Sequence, residues 1–376
     1  MKAPGKEECM RDTVLQKLPN HLVKPDGTPV QSAGDWLSQR GRITNLVLDL
    51  EYGGLPPSPE ELEVELLCSS RDTFITYAVT AGSGKERLTF ELQLFIPPHD
   101  QGCTLPVVLC GDGCWPYMND TVVNAVTARG FIAARFNRTA IVHDVYSTEE
   151  ARRSPLYRLF PGIESGTIAG WAWGYRLCVD ALLRFPVVDP ACIAITGHSR
   201  GGKTVLLAGA ADERVTFTAA NGSGAAGAGC WRYQMNEPGS EDPRSEVLAD
   251  LLKVVPQWLG PKMRDFKDHE ELLPFDQHYL KALIAPRYYI QTEGLLDTWA
   301  NPRGAWQTLL AAQGVYRLLE APGRLLSHYR DGGHAHTLED FGVLLDVMTA
   351  ARSGQAQNKD YHANPYPEME KIFDWD

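Results

Sequence analysis

Apolar and polar residues alternate along residues 88–97, LTFELQLFIP, as they do when one face of a strand is buried and the other wet. Downstream the pattern changes. LPVVLC (105–110), FIAARF (131–136), CIAIT (192–196), VTFTAA (215–220), RYYIQT (287–292) and VYRLLE (315–320) are short, almost unbroken apolar runs. Such runs predict strands covered on both faces, because a strand with one wet face would show polar residues at every second place. Amphipathic stretches near 119–129, 166–185, 203–212, 302–313 and 338–351 lie between them and predict helices. Strands alternating with helices predict a three-layer α/β architecture around a mostly parallel central sheet.

Two segments break that rhythm. Residues 1–45 carry Pro or Gly every few positions, which predicts an irregular lead-in with one short helix. Residues 231–285 are polar, long and Pro-containing. They read as an insertion above the sheet that lines the substrate crevice, since open α/β sheets bind ligands beyond the carboxyl ends of their strands. With no internal repeat or low-complexity tract, residues 1–376 read as one domain. Nothing in residues 1–85 connects to chemistry.

Composition narrows the classes of function. A hydrophobic fraction of 44% with 22% charged residues is that of a globular protein, and no run approaches the roughly 20 apolar residues that span a bilayer. The net charge of −11 and the lack of Lys/Arg clusters argue against a nucleic-acid partner. Cysteines 9, 68, 103, 110, 114, 178, 192 and 230 are scattered without C-x-x-C pairs, so neither a zinc site nor a dense disulfide framework is expected, and most read as reduced core thiols. MKAPGKEECMRD at the start lacks the apolar core of a secretory signal, so the chain as given is expected to be cytoplasmic or to have lost its signal.

The candidate chemistry centres on GHSRGGKT, Gly197 to Thr204, between the strand CIAIT and the helical run TVLLAGAAD. As G-x-x-x-x-G-K-[ST] it would cradle nucleotide phosphates with Lys203. As G-x-S-x-G it is a nucleophile elbow, presenting Ser199 on a tight strand-to-helix turn of an α/β-hydrolase fold. A phosphate loop also wants a strand ending in Asp for magnesium, and VLLD (343–346) lies in a helical pattern instead. The hydrolase reading wants an acid past a later strand and then a histidine. Asp297 in EGLLDTWANP and His334 in RDGGHAHT stand in that order, with Glu293 and His336 as rivals. Serine needs such partners, because its hydroxyl attacks only when an imidazole takes its proton and a carboxylate fixes the imidazole's tautomer.

Together with WAWGYRLCVDAL (171–182), PFDQHYLKALIAPR (274–287) and GGHAHTLEDF (332–341), these motifs resemble carbohydrate esterase family 15, the glucuronoyl esterases, in its bacterial form. The resemblance runs over about residues 85–350. It implies a serine esterase, without cofactor or metal, that cleaves esters of 4-O-methylglucuronic acid on xylan. It further implies that Arg200 serves the oxyanion hole through its backbone N–H and guanidinium, and that Lys203, Trp258, Trp299 and, more loosely, Glu246 contact the sugar. Fungal members pair a Cys before the nucleophile with one after the catalytic His. His198 and Ala335 stand there. The fungal catalytic Glu falls near Asn221 and Gly222, and a fungal pocket glutamate near Val255, so the acid must come from elsewhere and the uronate preference is open. An acetyl-xylan or other carbohydrate deacetylase is the runner-up. A nucleotide-binding protein and a sugar-binding hydrolase fold without catalysis are the readings from other classes, and the oligomeric state is left open.

Overall fold

A computed structural model of the chain describes residues 12–71, 73–355 and 359–375. Cys9 lies outside them. In chain order the elements are β1 (Thr13–Val14), α1 (Ala33–Tyr52), β2 (Glu61–Ser70), β3 (Phe74–Ser83), β4 (Glu86–Phe95), β5 (Leu105–Cys110), α2 (Asp120–Ala128), β6 (Ile132–Phe136), α3 (Thr148–Arg152), α4 (Pro155–Leu159), α5 (Thr167–Leu182), β7 (Val188–His198), α6 (Arg200–Ala211) and β8 (Phe217–Asn221). There follow β9 (Tyr233–Gln234), α7 (Leu248–Val254), α8 (His278–Ile284), β10 (Tyr288–Gly294), α9 (Pro302–Leu318), β11 (Leu325–Arg330) and α10 (Leu338–Ser353).

Nine strands form one sheet in the order β11-β10-β8-β7-β5-β6-β4-β3-β2. From β6 to β11 the pairings are parallel, while β2, β3 and β4 run antiparallel, with β4 antiparallel to β6. The apolar runs supply the buried central strands: Val107, Val108 and Leu109 of β5 and Ile193, Ala194 and Ile195 of β7 have no exposure. Helices cover both faces, as an α/β-hydrolase fold requires.

Two expectations need correcting. VYRLLE (315–320) is not a strand, because α9 extends through Leu318 and the strand before His334 is β11, LLSHYR. A short apolar run fits helix and strand periods alike, and here Trp306, Leu309 and Val315 continue the buried stripe of the same helix. The lead-in also holds a helix of 20 residues, α1. Its glycines, Gly34 and Gly41, mask a buried stripe of Trp36, Ile43 and Val47, and it is bounded by the Ser32 cap, which accepts the Asp35 amide, and by Gly53 at φ 66°. This helix end bears on the rest of the chain: Tyr52 O accepts the Gly166 amide at 2.8 Å and Glu51 O the Gly260 amide at 2.7 Å. The end of α1 thus holds both the segment that leads into α5 and the middle of the 231–285 region.

Of the seven described cysteines, all free thiols, Cys110, Cys178, Cys192 and Cys230 are buried and Cys68, Cys103 and Cys114 exposed. Among the described residues no helix is long and apolar enough to cross a membrane, and no group of three or more His, Cys, Asp or Glu side chains is placed to hold a metal.

Candidate active site

The turn from β7 to α6 puts Ser199 at φ 55° and ψ −119°, a conformation that a non-glycine residue adopts only under tertiary constraint. The constraint is visible. Ser199 N donates to Asn221 O at 2.9 Å, and the first turn of α6 presses so close to the strand that a Cβ at Gly197 would lie 2.6 Å from Gly201 O. A Cβ at Gly201 would strike the Asp112 carboxylate, and one at Gly202 would lie 2.8 Å from Asn221 O. The glycines of the motif are therefore steric requirements of the elbow. Ser199 is half-buried, and its hydroxyl makes no hydrogen bond among the described residues.

Asp297 and His334 come from the loops after β10 and β11. Leu295 N bonds to Arg330 O and Leu296 N to Gly332 O, each at 2.9 Å, so the two loops are laced together by backbone. The Arg330 guanidinium then ties down the histidine loop through Ala335 O at 2.6 Å and Gly333 O at 3.2 Å. His334 Nδ1 lies 2.7 Å from Asp297 Oδ2, with the carboxylate 2% and the imidazole 41% exposed. Asp297 Oδ1 accepts the Ala300 amide at 3.3 Å, which fixes the carboxylate plane. A proton held on Nδ1 by Asp297 leaves Nε2 with a free lone pair, the state a general base needs.

The rivals sit elsewhere. Glu293 is fully buried, neither oxygen has a hydrogen-bond partner, and burial holds its carboxyl well above the usual range. His336 stacks on Phe341 at 4.0 Å between centroids, and burial pushes its pKa well down. Beside the vacant fungal acid position, a Cβ on Gly222 would be 3.4 Å from Asp297 Oδ2, so a carboxylate from either loop reaches the same place.

Two residues further on, Gly224 touches the other cluster: a Cβ there would lie 3.5 Å from Lys203 Nζ and 3.6 Å from Glu246 Oε2. Lys203 Nζ pairs with Glu246 Oε2 at 2.9 Å and also donates to Ala225 O, while Glu246 N bonds to Trp299 O at 3.0 Å. Lys203, Glu246 and the half-buried Trp299 thus meet beside the Asp297–His334 pair. The phosphate reading fails here, since its lysine is engaged by Glu246 and the carboxylate of Asp112 lies against the glycines that would cradle an anion. Trp258 departs from the expected platform: it is 4% exposed, its face is covered by the Arg200 guanidinium at 4.9 Å, and its Nε1–H is buried without a partner.

Sequence reasoning passed over Asp112, Arg138 and Asp144, and met Asn221 only as a place without a carboxylate. Asn221 Oδ1 lies 2.5 Å from His198 Nδ1, and burial lowers the His198 pKa to about 4, so that ring is a neutral wall 4.5 Å from the His334 ring. Asp112 follows the end of the run LPVVLC, where an acid between glycines is a signal that could have marked it.

A family model described as glucuronyl esterase of fungi matches residues 79–320. The 4-O-methyl-glucuronoyl methylesterase 1 of Wolfiporia cocos is 29% identical over 347 residues, covering 86% of this chain and 78% of that protein. A carbohydrate esterase from an unknown prokaryotic organism is 32% identical over 207 residues, 51% of this chain and 46% of that one. Among solved structures, a family 15 glucuronoyl esterase from Caldicellulosiruptor kristjansonii superposes with a TM-score of 0.80 at 28% identity, over 95% of this chain and 97% of its own.

Proposed function

The chain belongs to the glucuronoyl esterase family, carbohydrate esterase family 15, and on that premise we propose that it hydrolyses 4-O-methyl-glucuronoyl esters through an acyl-enzyme on Ser199. Ser199 Oγ attacks the ester carbonyl while His334 Nε2 takes its proton, with Asp297 holding the imidazole. The carbonyl oxygen becomes an oxyanion, met by the Arg200 backbone N–H at the start of α6 and by its guanidinium. Collapse expels the alcohol with the proton from His334, and a water activated by the same imidazole releases the uronate.

The observation that carries this reading is the Lys203–Glu246 pair beside the Asp297–His334 pair, bridged by the 222–224 loop. One strong donor next to one strong acceptor matches the neighbouring hydroxyls of a sugar ring, and the pair is neutral overall, which suits an esterified and uncharged uronate. The chain reads further as a single α/β-hydrolase domain of the bacterial form, in which the 231–285 insertion lines the crevice. His198 and Ala335 in place of a cysteine pair, and an acid in the loop after β10, support that form.

The test is hydrolysis of methyl and benzyl glucuronate esters beside p-nitrophenyl acetate, with wild type and Ser199→Ala. Uronate turnover abolished in the variant is the expected result. Cleavage of the acetate alone would leave Ser199 as nucleophile and replace the uronate by an acetyl group as the substrate.

A further inference from the structure

The residues on either side of the nucleophile are held by a single chain of charges. Asp112 accepts the His198 backbone N–H at 2.9 Å and pairs with the Arg138 guanidinium, both side chains being fully buried. Arg138 lies over the Trp171 ring at 4.7 Å and approaches Asp144 at 3.8 Å. Asp144, 12% exposed, holds Arg200 Nη1 between its two oxygens at 2.9 and 3.0 Å, while the Trp258 ring supports the same guanidinium from below. Asp144 comes from the segment after β6, and no motif connects it to the elbow.

An arginine side chain carries about 2 kcal/mol of rotamer entropy, so a guanidinium that must meet an oxyanion is useful only if it is already held in place. Clamped by a ring face and a carboxylate, Arg200 keeps its remaining N–H groups for the site. We infer that Asp144 is a positioning residue for catalysis, fixing the Arg200 guanidinium where the oxyanion forms; this rests on the oxyanion role of Arg200 proposed above. The sign of its effect is diagnostic. As a bare negative charge near the site Asp144 would oppose the oxyanion, and its removal would speed the reaction. As a clamp it must do the reverse.

The experiment measures kcat, KM and melting temperature on methyl glucuronate for Asp144→Asn, Asp144→Glu, Arg200→Ala and the double variant Asp144→Asn/Arg200→Ala. Asp144→Asn is expected to lower kcat about 10- to 100-fold with KM within about threefold, and Asp144→Glu, which moves the charge by one methylene, severalfold. With Arg200 already removed, Asp144→Asn should change kcat by less than about twofold, whereas an effect spread through Arg138 would persist there. Millimolar guanidinium should partly rescue Arg200→Ala and not the double variant. The inference is overturned if Asp144→Asn and Asp144→Glu keep wild-type kcat while Arg200→Ala loses it, or if the Asp144→Asn factor is the same in both backgrounds. If the neutral variants do not fold, Asp144→Glu decides on kcat alone. Full kcat in Arg200→Ala would instead remove the oxyanion role itself, and the clamp with it.

Discussion

A serine hydroxyl, an imidazole and a carboxylate form a catalytic set only if each is held in one protonation state, and two acids compete for the third place. Asp297 is bonded to His334, whereas Glu293, earlier in the chain on β10, faces a closed interior that pushes its carboxyl well above the usual range. Asp297→Asn should therefore lower kcat by about 10³- to 10⁴-fold, because an amide cannot hold the imidazole in the right tautomer. Glu293→Gln, which replaces a neutral acid by a neutral amide, should leave kcat within about twofold in the same assay. A large loss in Glu293→Gln with activity retained in Asp297→Asn would reverse the assignment. The elbow at Ser199 and the Asp297–His334 pair were legible because chain order and strand ends point to them. The Asp144–Arg200 clamp was not, since it joins residues 56 apart through an irregular segment that carries no period.

Elements dock through small residues that sequence patterns show only as interruptions. Gly209 sits in the last turn of α6, where it costs helix propensity, yet a Cβ there would collide with Thr218 Oγ1 on β8. The glycine sets how close the elbow helix lies to the sheet. Gly209→Ala should cost about 1–3 kcal/mol and lower the melting temperature by several degrees, and Thr218→Ala in the same chain should restore much of the loss. An unaltered melting temperature would mean that the helix shifts at no cost. The central strands were readable from their apolar runs, and α2, α5, α6 and α10 from their amphipathic period. Residues 315–320 were misread because three apolar neighbours satisfy either period, and α1 because its glycines break the very stripe that Trp36, Ile43 and Val47 bury.

At the scale of the molecule, burial of ionisable groups sets how stability responds to pH. Glu51 is buried at the end of α1 against Gln277, with one oxygen unpartnered, and burial pushes its pKa up to about 8. A pKa raised on folding means that the native state keeps a proton which the unfolded chain releases from about pH 4.5 upward. Its contribution is therefore complete below that value and lost as pH rises towards 8. Glu51→Gln keeps the acceptor for Gln277 and removes the titration. Denaturant unfolding should show the variant more stable than wild type at pH 8.5, by an amount on the order of a few kcal/mol, with the gap closing by pH 5. A constant gap would mean that the carboxyl ionises freely in the fold. Overall architecture was legible in the strand and helix alternation, but not the involvement of both chain ends. Lys17 Nζ bonds to Asp374 across 357 residues, and Leu18 N to Ile372 O. On a ribosome adding about 5–20 residues per second, Lys17 waits roughly 20–70 s for its partner to be made. During that interval the early segment lacks the partner that Ile372 and Asp374 later supply, so this closure is a late, post-synthetic step of folding.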